Sequence, residues 1–240
     1  MIRVEGLTKL YGDTEAVRDL VFDVAPGEIV GLVGPNGAGK TTTLRCMAGI
    51  LPPTAGRVVI DGRDLDADGV EARRRLAYVP DEPELFENLT ADEHLRFIAA
   101  MYRVEDAPAR IDRLLAEFEL EEKRREPVSD LSRGMKQKLA VCCAYLYEPR
   151  AILFDEPLTG LDPRAIRRAI DSIRERARAG AAVVLSSHLL TLVEDLCDRI
   201  LIVHRGRRVE FGTLDQIRAQ AKDLAHDATL EQIFLRATDE

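Results

Sequence analysis

Residues 34–41 read Gly34-Pro35-Asn36-Gly37-Ala38-Gly39-Lys40-Thr41 and decide the fold. They match the pattern G-x-x-x-x-G-K-T in full, and they lie between an apolar segment at 28–33 and a run with helical character. The glycines let the backbone wrap closely around phosphate oxygens with its amide groups pointing inward. Lys40 would neutralise phosphate charge, and the positive end of the following helix dipole would face the anion. The stretch therefore predicts a strand, a phosphate-binding loop and a helix.

A second motif places two carboxylates, Asp155 and Glu156, directly after the apolar segment 151–154. A buried carboxylate is costly unless a cation or hydrogen bonds meet it. Mg²⁺ held by Asp155 and by the hydroxyl of Thr41 would supply that partner, and Glu156 would then polarise a water for attack on a γ-phosphate. An acid that merely caps the next loop is the alternative. Together with the phosphate loop, the motif predicts hydrolysis of a nucleoside triphosphate.

The remaining chain shows an α/β rhythm interrupted by a helical segment. Short apolar runs with turn residues fill the first third, and three helices are predicted between residues 81 and 149, the first opened by a capping box at Thr90 and Glu93. Strands and helices alternate again after residue 150, which favours a mostly parallel sheet covered by helices. We expect three parts: residues 1–80 and 150–240 forming the core, and residues 81–149 forming a helical subdomain.

Composition narrows the possible partners. The 240 residues contain 34 Lys and Arg against 42 Asp and Glu, a net charge of −8, which counts against a nucleic acid partner. The longest stretch without a charged residue, 179–193, is shorter than the roughly 20 apolar residues of a membrane-spanning helix. The first ten residues lack the basic and apolar segments of a secretory signal. We therefore expect a cytoplasmic location.

A third motif, Leu131-Ser132-Arg133-Gly134-Met135, stands at the head of the third predicted helix. By itself it fits a simple helix cap equally well. The order of motifs from the phosphate loop through this segment, Asp155-Glu156, Leu161-Asp162 and Ser187-His188 resembles the ATP-binding cassette of ABC transporters over essentially the whole chain. The resemblance implies a P-loop NTPase (RecA-like) core, an N-terminal antiparallel β subdomain and an inserted α-helical subdomain.

The resemblance also implies a role for each motif in binding ATP with Mg²⁺. Tyr11 would stack on the adenine, with Val17 beside the ribose. The residues implied in phosphate and Mg²⁺ contacts are Asn36, Gly37, Ala38, Gly39, Lys40, Thr41 and Thr42, with Asp155 as a second metal ligand.

The same resemblance assigns the chemistry and the contact between two subunits. Glu156 is implied as the general base, and His188 as the residue that touches the γ-phosphate. Ser132 and Gly134 would contact ATP held by an opposite subunit, and Asp162 would link the two sites. The implied assembly is a head-to-tail dimer with a second cassette, either an identical copy or a paralogue, closed over two ATP molecules.

Two positions depart from the commoner family pattern. Asp81 stands where most cassettes carry Gln, and we expect it to ligate Mg²⁺ or position water. Arg133 stands in the signature segment, which reads Leu-Ser-Arg-Gly-Met instead of Leu-Ser-Gly-Gly-Gln. These departures, with the segments 51–56 and 230–235, are most similar to cassettes of ABC-2-type exporters.

Such cassettes pair with separate membrane-spanning permease subunits at the cytoplasmic face of the membrane, and residues 81–95 and 126–130 are the segments expected to meet them. Two other functions stay open from the sequence: a soluble cassette ATPase acting on nucleic acid or ribosomes, and a nucleotide-sensing regulator that does not hydrolyse. The first usually carries two cassettes or a long coiled coil, which this sequence lacks, and the second would not need Lys40, Asp155, Glu156 and His188.

Overall fold

The computed structural model of the protein describes residues 1–220 and 228–238. Within these residues the strands are β1 (Ile2–Tyr11), β2 (Thr14–Val24), β3 (Ile29–Val33), β4 (Ala55–Ile60), β5 (Arg63–Asp64), β6 (Leu76–Val79), β7 (Ala151–Asp155), β8 (Ala182–Ser186), β9 (Arg199–His204) and β10 (Arg207–Gly212). The α-helices of the same residues are α1 (Lys40–Met47), α2 (Gly69–Arg73), α3 (Ala91–Tyr102), α4 (Ala107–Glu117), α5 (Arg133–Tyr145), α6 (Pro163–Arg178), α7 (Leu190–Leu196), α8 (Leu214–Gln220) and α9 (Leu230–Thr238), and two short 3-10 helices span Glu121–Lys123 and Val128–Asp130.

The strands form two sheets of different character. One is antiparallel with the order β2-β1-β4-β5, and the other has the order β10-β9-β3-β8-β7-β6. In the second sheet only β10, which closes a hairpin with β9, runs antiparallel to its neighbour. The structure therefore confirms the predicted α/β class with a mostly parallel sheet and an N-terminal antiparallel sheet.

The larger sheet separates two apolar cores. All five residues of β3 are buried, and so are those of β7 and β8, as expected for parallel strands covered on both faces. Alternate residues face opposite cores. Ile29 and Val33 lie in the core that includes residues of α3, α4 and α5, whereas Val30 and Leu32 lie in the core that includes residues of α1 and the antiparallel sheet. This double burial fixes where β3 ends, and hence where the loop after it begins.

Helices α3, α4 and α5 form the inserted helical part. Thr90 caps α3 and closes the predicted capping box, with its side chain accepting from the Glu93 amide at 3.2 Å and the Glu93 carboxylate accepting from the Thr90 amide at 2.9 Å. The buried face of α5 is continuous with the core beneath β7. The helical part is thus packed directly onto the sheet that carries the paired carboxylates.

Three details differ from the sequence expectations. The apolar residues Ile2 and Val4 predict a first strand that ends at Val4, but β1 extends to Tyr11. The sequence does not reveal the rest of β1, because register shifts between Val4 and Leu7 and the positive φ of Gly6 break the alternation that marks a strand. The short elements α2 and β5 were not predicted, since five and two residues show no periodicity. No helix among the described residues is both long and apolar enough to cross a membrane.

Candidate ATP-binding and hydrolysis site

The site is assembled where three parallel strands end together. β8 lies between β3 and β7, and Ser186 is level with Leu32 of β3 on one side and with Asp155 of β7 on the other. The phosphate loop leaves β3 two residues after Leu32. Sheet register alone therefore brings the loop and the paired carboxylates to one edge, the usual ligand position in open α/β sheets.

The glycines of the loop are required for two different reasons. A Cβ on Gly34 would lie 2.4 Å from the Val203 carbonyl oxygen, and one on Gly39 would lie 2.3 Å from the Ala16 carbonyl oxygen. Gly37 has no atom within 4 Å of such a Cβ but has a φ of +80°. Close approach of phosphate is therefore not the sole reason for the three glycines, because neighbouring backbone already excludes a side chain at Gly34 and Gly39.

Lys40 forms hydrogen bonds with backbone carbonyl groups of its own loop. Its ammonium donates to the carbonyl oxygens of Gly34 at 2.7 Å and Pro35 at 3.3 Å. Burial lowers the pKa of Lys40, and the negative charges of Glu156 and Asp155 partly oppose this shift. Lys40 therefore faces both the loop interior and the carboxylates, the position that a phosphate-neutralising cation requires.

Asp155 is a buried acid held by two hydroxyl groups. Only 3% of the residue is exposed. Ser186 Oγ donates to Asp155 Oδ1 at 2.7 Å, and Tyr78 Oη donates to Oδ2 at 3.3 Å. Burial and the charge of Asp155 raise the pKa of Tyr78 to about 12. Both oxygens of Asp155 are thus oriented before any ligand binds.

Glu156 is gripped by His188 from the end of β8. The Nδ1 atom of His188 lies 2.8 Å from Glu156 Oε2, and the His188 amide donates to the same oxygen at 3.3 Å. The Glu156 amide donates to Ser186 Oγ at 3.0 Å, and its φ of +49° is in the left-handed region. Within residues 1–220 and 228–238, no hydrogen-bond donor contacts Oε1. The free oxygen can accept a proton while the other fixes the side chain.

A second group of predicted residues gathers around the start of α5. Ser132 caps this helix by accepting from the Met135 amide at 3.3 Å. A Cβ on Gly134 would lie 3.4 Å from the Gly160 carbonyl oxygen. Arg133 Nη2 lies 3.2 Å from Asp81 Oδ1, so Asp81 is held by an arginine.

Asp162 caps α6, where its Oδ1 accepts from the amides of Arg164 and Ala165, both at 2.9 Å. These backbone donors lower its pKa. The side chain thus has a structural role in the single chain, and the role in linking two sites stays a prediction.

The residues expected at the nucleoside lie on the paired strands β1 and β2 of the antiparallel sheet, Tyr11 at the end of β1 and Val17 within β2. Tyr11 is 48% exposed, and the Lys9 ammonium lies 5.3 Å from its ring centroid, so the ring has accessible surface for stacking. Val17, by contrast, is only 1% exposed and lies beneath Gly39. Val17 therefore exposes little surface for the expected contact with the ribose, although it packs against the loop at Gly39.

The other loop residues differ in exposure. Asn36, Gly37 and Thr41 are exposed, Thr42 is half-buried and Ala38 is buried. The exposed hydroxyl of Thr41 and the carboxylate of Asp155 are oxygen ligands of the type that Mg²⁺ prefers. In the described part of the chain, no group of three or more His, Cys, Asp or Glu side chains is arranged to hold a metal. Mg²⁺ would therefore complete its ligand shell with phosphate and water oxygens, as it usually does.

Two residues of the site were missed by the sequence reasoning. Ser186 is fully buried and bridges Asp155 and the Glu156 amide, and Tyr78 supplies the second hydroxyl on Asp155. Ser186 carried a usable signal, because a serine that ends an apolar strand just before His188 must find a buried partner. Tyr78 carried less signal, because nothing in the segment 76–79 indicates that its hydroxyl needs a buried partner.

Comparison with known proteins agrees with this geometry. Residues 17–159 match the family described as ABC transporter. The chain is 36% identical to the ABC-type transporter ATP-binding protein EcsA of Bacillus subtilis, covering 100% of this chain and 97% of EcsA. It is 35% identical to the daunorubicin resistance ATP-binding protein DrrA3 of Streptomyces coeruleorubidus, covering 96% of this chain and 74% of DrrA3. It is also 37% identical to the "Probable multidrug ABC transporter ATP-binding protein YbhF" of Escherichia coli, of which it spans only 41%.

Solved structures give the same result. An ATP-binding subunit of an ABC transporter superposes with a TM-score of 0.94 at 38% identity, covering 99% of both chains. The ATP-binding cassette MJ0796, solved as a dimer in a post-hydrolysis state bound to ADP and Pi, superposes with a TM-score of 0.82 at 26% identity, covering 89% of this chain and 99% of that one. The phosphate loop, the paired carboxylates and these relatives lead to one conclusion: the chain belongs to the ABC transporter family, as an ATP-binding subunit with ATPase activity.

Proposed function

We propose that this chain powers export through separate membrane-spanning permease subunits, by closing head-to-tail with a second cassette over two ATP molecules and hydrolysing them with Glu156 as general base. The observation that carries the catalytic part is the double contact of His188 with one oxygen of Glu156, at 2.8 and 3.3 Å. It leaves the other oxygen without a hydrogen-bond donor among the described residues, and the negative charge of Glu156 acts on Lys40. The dimeric state of MJ0796 supports the closed assembly.

The chain's own residues divide the reaction among them. Lys40 would exchange its loop carbonyls for phosphate oxygens and counter their charge. Glu156 Oε1 would take a proton from water as the water attacks the γ-phosphate in line. His188 would hold Glu156 through Oε2 and present its other ring nitrogen to the γ-phosphate. Thr41 and Asp155, and Asp81 if it leaves Arg133, would hold Mg²⁺, which supplies charge neutralisation on the phosphate oxygens.

The names of two relatives and an exposed apolar surface support export and the membrane partner. DrrA3 is named for daunorubicin resistance, and YbhF for multidrug transport. In the segment 81–95, which is expected to meet the permease, Phe86 is 55% exposed. Just beyond this segment, Phe97 and Met101 of α3 are 41% and 55% exposed. The rings of Phe86 and Phe97 meet edge to face at 5.3 Å, forming an apolar surface. A permease bound there would hold the chain at the cytoplasmic face of the membrane.

The catalytic proposal is tested by Glu156→Gln, which keeps the shape of the side chain and removes the base. We expect phosphate release to fall about 10²–10⁴-fold while ATP still binds and a closed dimer accumulates. Phosphate release and the molar mass in ATP are the measurements. The matched control is Glu175→Gln, an exposed acid on α6, which should leave both unchanged. Near-normal turnover of Glu156→Gln would remove Glu156 from the role.

A further inference from the structure

The two departures from the commoner family pattern contact each other. Arg133, in the signature segment, and Asp81, in place of Gln, form an ion pair with 3.2 Å between Nη2 and Oδ1. Either change alone is awkward, because a carboxylate adds negative charge near phosphate and an arginine replaces a small residue at a helix start. Together the two charges are neutralised. The pair thus accounts for both substitutions at once.

The ion pair joins two segments that serve different nucleotides in the proposed dimer. Asp81 follows β6, the neighbour of the strand that ends in Asp155, so it belongs to the chain's own site. Arg133 is the first residue of α5 and follows Ser132, which the proposed assembly directs at ATP of the opposite subunit. A second contact, from Gln137 Nε2 to the Pro80 carbonyl oxygen at 3.3 Å, binds the same two segments.

Arg133 is also accessible from outside the chain. Its side chain is 54% exposed and that of Asp81 is 43% exposed. The Arg133 stem passes Gly160, whose Cβ position would lie 3.6 Å from Arg133 Cδ, so the guanidinium sits at the junction of the signature segment and the loop before α6. A planar guanidinium is the side chain best suited to grip phosphate oxygens with paired hydrogen bonds.

We propose that Arg133 binds the triphosphate of the ATP held by the opposite subunit, and that Asp81 withholds Arg133 until Asp81 turns towards its own nucleotide site. This rests on the proposed head-to-tail dimer. Asp81 cannot serve Arg133 and its own site together, so loading one site frees the cation that serves the other. An ion pair of this exposure biases the equilibrium only about two- to fivefold, which a triphosphate can readily exceed.

The test is a double-mutant cycle on dimer formation in the non-hydrolysing Glu156→Gln parent. The dimer dissociation constant is measured by sedimentation with ATP and EDTA, so that metal ligation by Asp81 plays no part. A head-to-tail dimer of identical chains contains two Asp81–Arg133 pairs, so we expect Asp81→Asn to free both arginines and to lower the dimer dissociation constant about 4- to 25-fold. Arg133→Gln should weaken it about tenfold, and the double variant should match Arg133→Gln alone.

The control pair is Glu5 and Arg57, an ion pair of similar exposure in the antiparallel sheet, with 2.6 Å between its charged atoms. Glu5→Gln and Arg57→Gln should leave the dissociation constant unchanged. A dimer of Asp81→Asn no tighter than the parent's, or a tightening that persists when Arg133 is Gln, would overturn the inference. Failure of the parent to dimerise with ATP would instead contradict the proposed head-to-tail assembly, and the inference with it.

Discussion

Replacing Ser186 by Ala tests whether one buried hydroxyl organises both carboxylates. Its Oγ donates to Asp155 Oδ1 at 2.7 Å and accepts from the Glu156 amide at 3.0 Å. Losing a hydrogen bond to a charged group costs about 1.5–3 kcal/mol, and leaving a buried donor unpaired costs about 1–3 kcal/mol. We therefore expect Ser186→Ala to lose about 3 kcal/mol of unfolding free energy. For a chain of this length each kcal/mol lowers Tm by about 2–4 °C, which predicts a fall of about 6–12 °C.

The matched control is the neighbouring Ser187→Ala. Ser187 is 2% exposed, and in the part of the chain that the structure describes its Oγ accepts one hydrogen bond, from the Leu189 amide at 3.0 Å. Its loss should cost about 1 kcal/mol, or about 2–4 °C. Thermal unfolding followed by circular dichroism measures both variants, and phosphate release measures activity, which should fall about tenfold or more in Ser186→Ala as Glu156 loses its backbone anchor. Equal values of Tm for the two variants would refute the account of Ser186 as a bridge.

Two further predictions concern the loop and the Asp155 hydroxyls. Gly39→Ala should abolish tight ATP binding, because its Cβ would lie 2.3 Å from the Ala16 carbonyl oxygen. The control Gly62→Ala, at a position with φ +78° and open space around the Cβ, should cost only about 1–2 kcal/mol of unfolding free energy and keep the ATP affinity. Equal ATP affinity in both variants would contradict the steric explanation. Folding raises the pKa of Tyr78 to about 12, from about 10 in the unfolded chain, so the unfolding free energy should fall as the pH rises from 10 to 12. In Tyr78→Phe this fall should be less steep. Identical slopes of unfolding free energy against pH in the two proteins, measured by urea unfolding, would show that Tyr78 is not the titrating group.

The sequence was most informative where the chemistry is local. The strand, loop and helix around residues 34–41, the strand ending in Asp155 and the Thr90 capping box each follow from residues adjacent in the chain, and the structure confirms these elements. The bulged part of β1 was hidden because Gly6 breaks its alternation. The sequence also did not predict which side chains form hydrogen bonds between neighbouring strands.

The Tyr78–Asp155, Ser186–Asp155 and Asp81–Arg133 contacts join residues 77, 31 and 52 positions apart in the chain. They depend on sheet register and on helix packing, which no local pattern encodes. The sequence thus indicated which motifs form the site. It could not indicate that Asp81 pairs with Arg133, or that Asp155 is held by the Ser186 hydroxyl and does not depend on a metal alone.

The Lys40 hydrogen bonds to its own loop have a consequence for discrimination among nucleotides. The ammonium already has two carbonyl partners, so a ligand gains from Lys40 only by offering an acceptor better than the oxygens of Gly34 and Pro35. A charged phosphate oxygen near Lys40 meets that condition. A ligand whose phosphates stop short of the ammonium leaves those bonds intact and gains nothing from this residue. The resting loop thereby sets a threshold that favours nucleotides with longer phosphate chains.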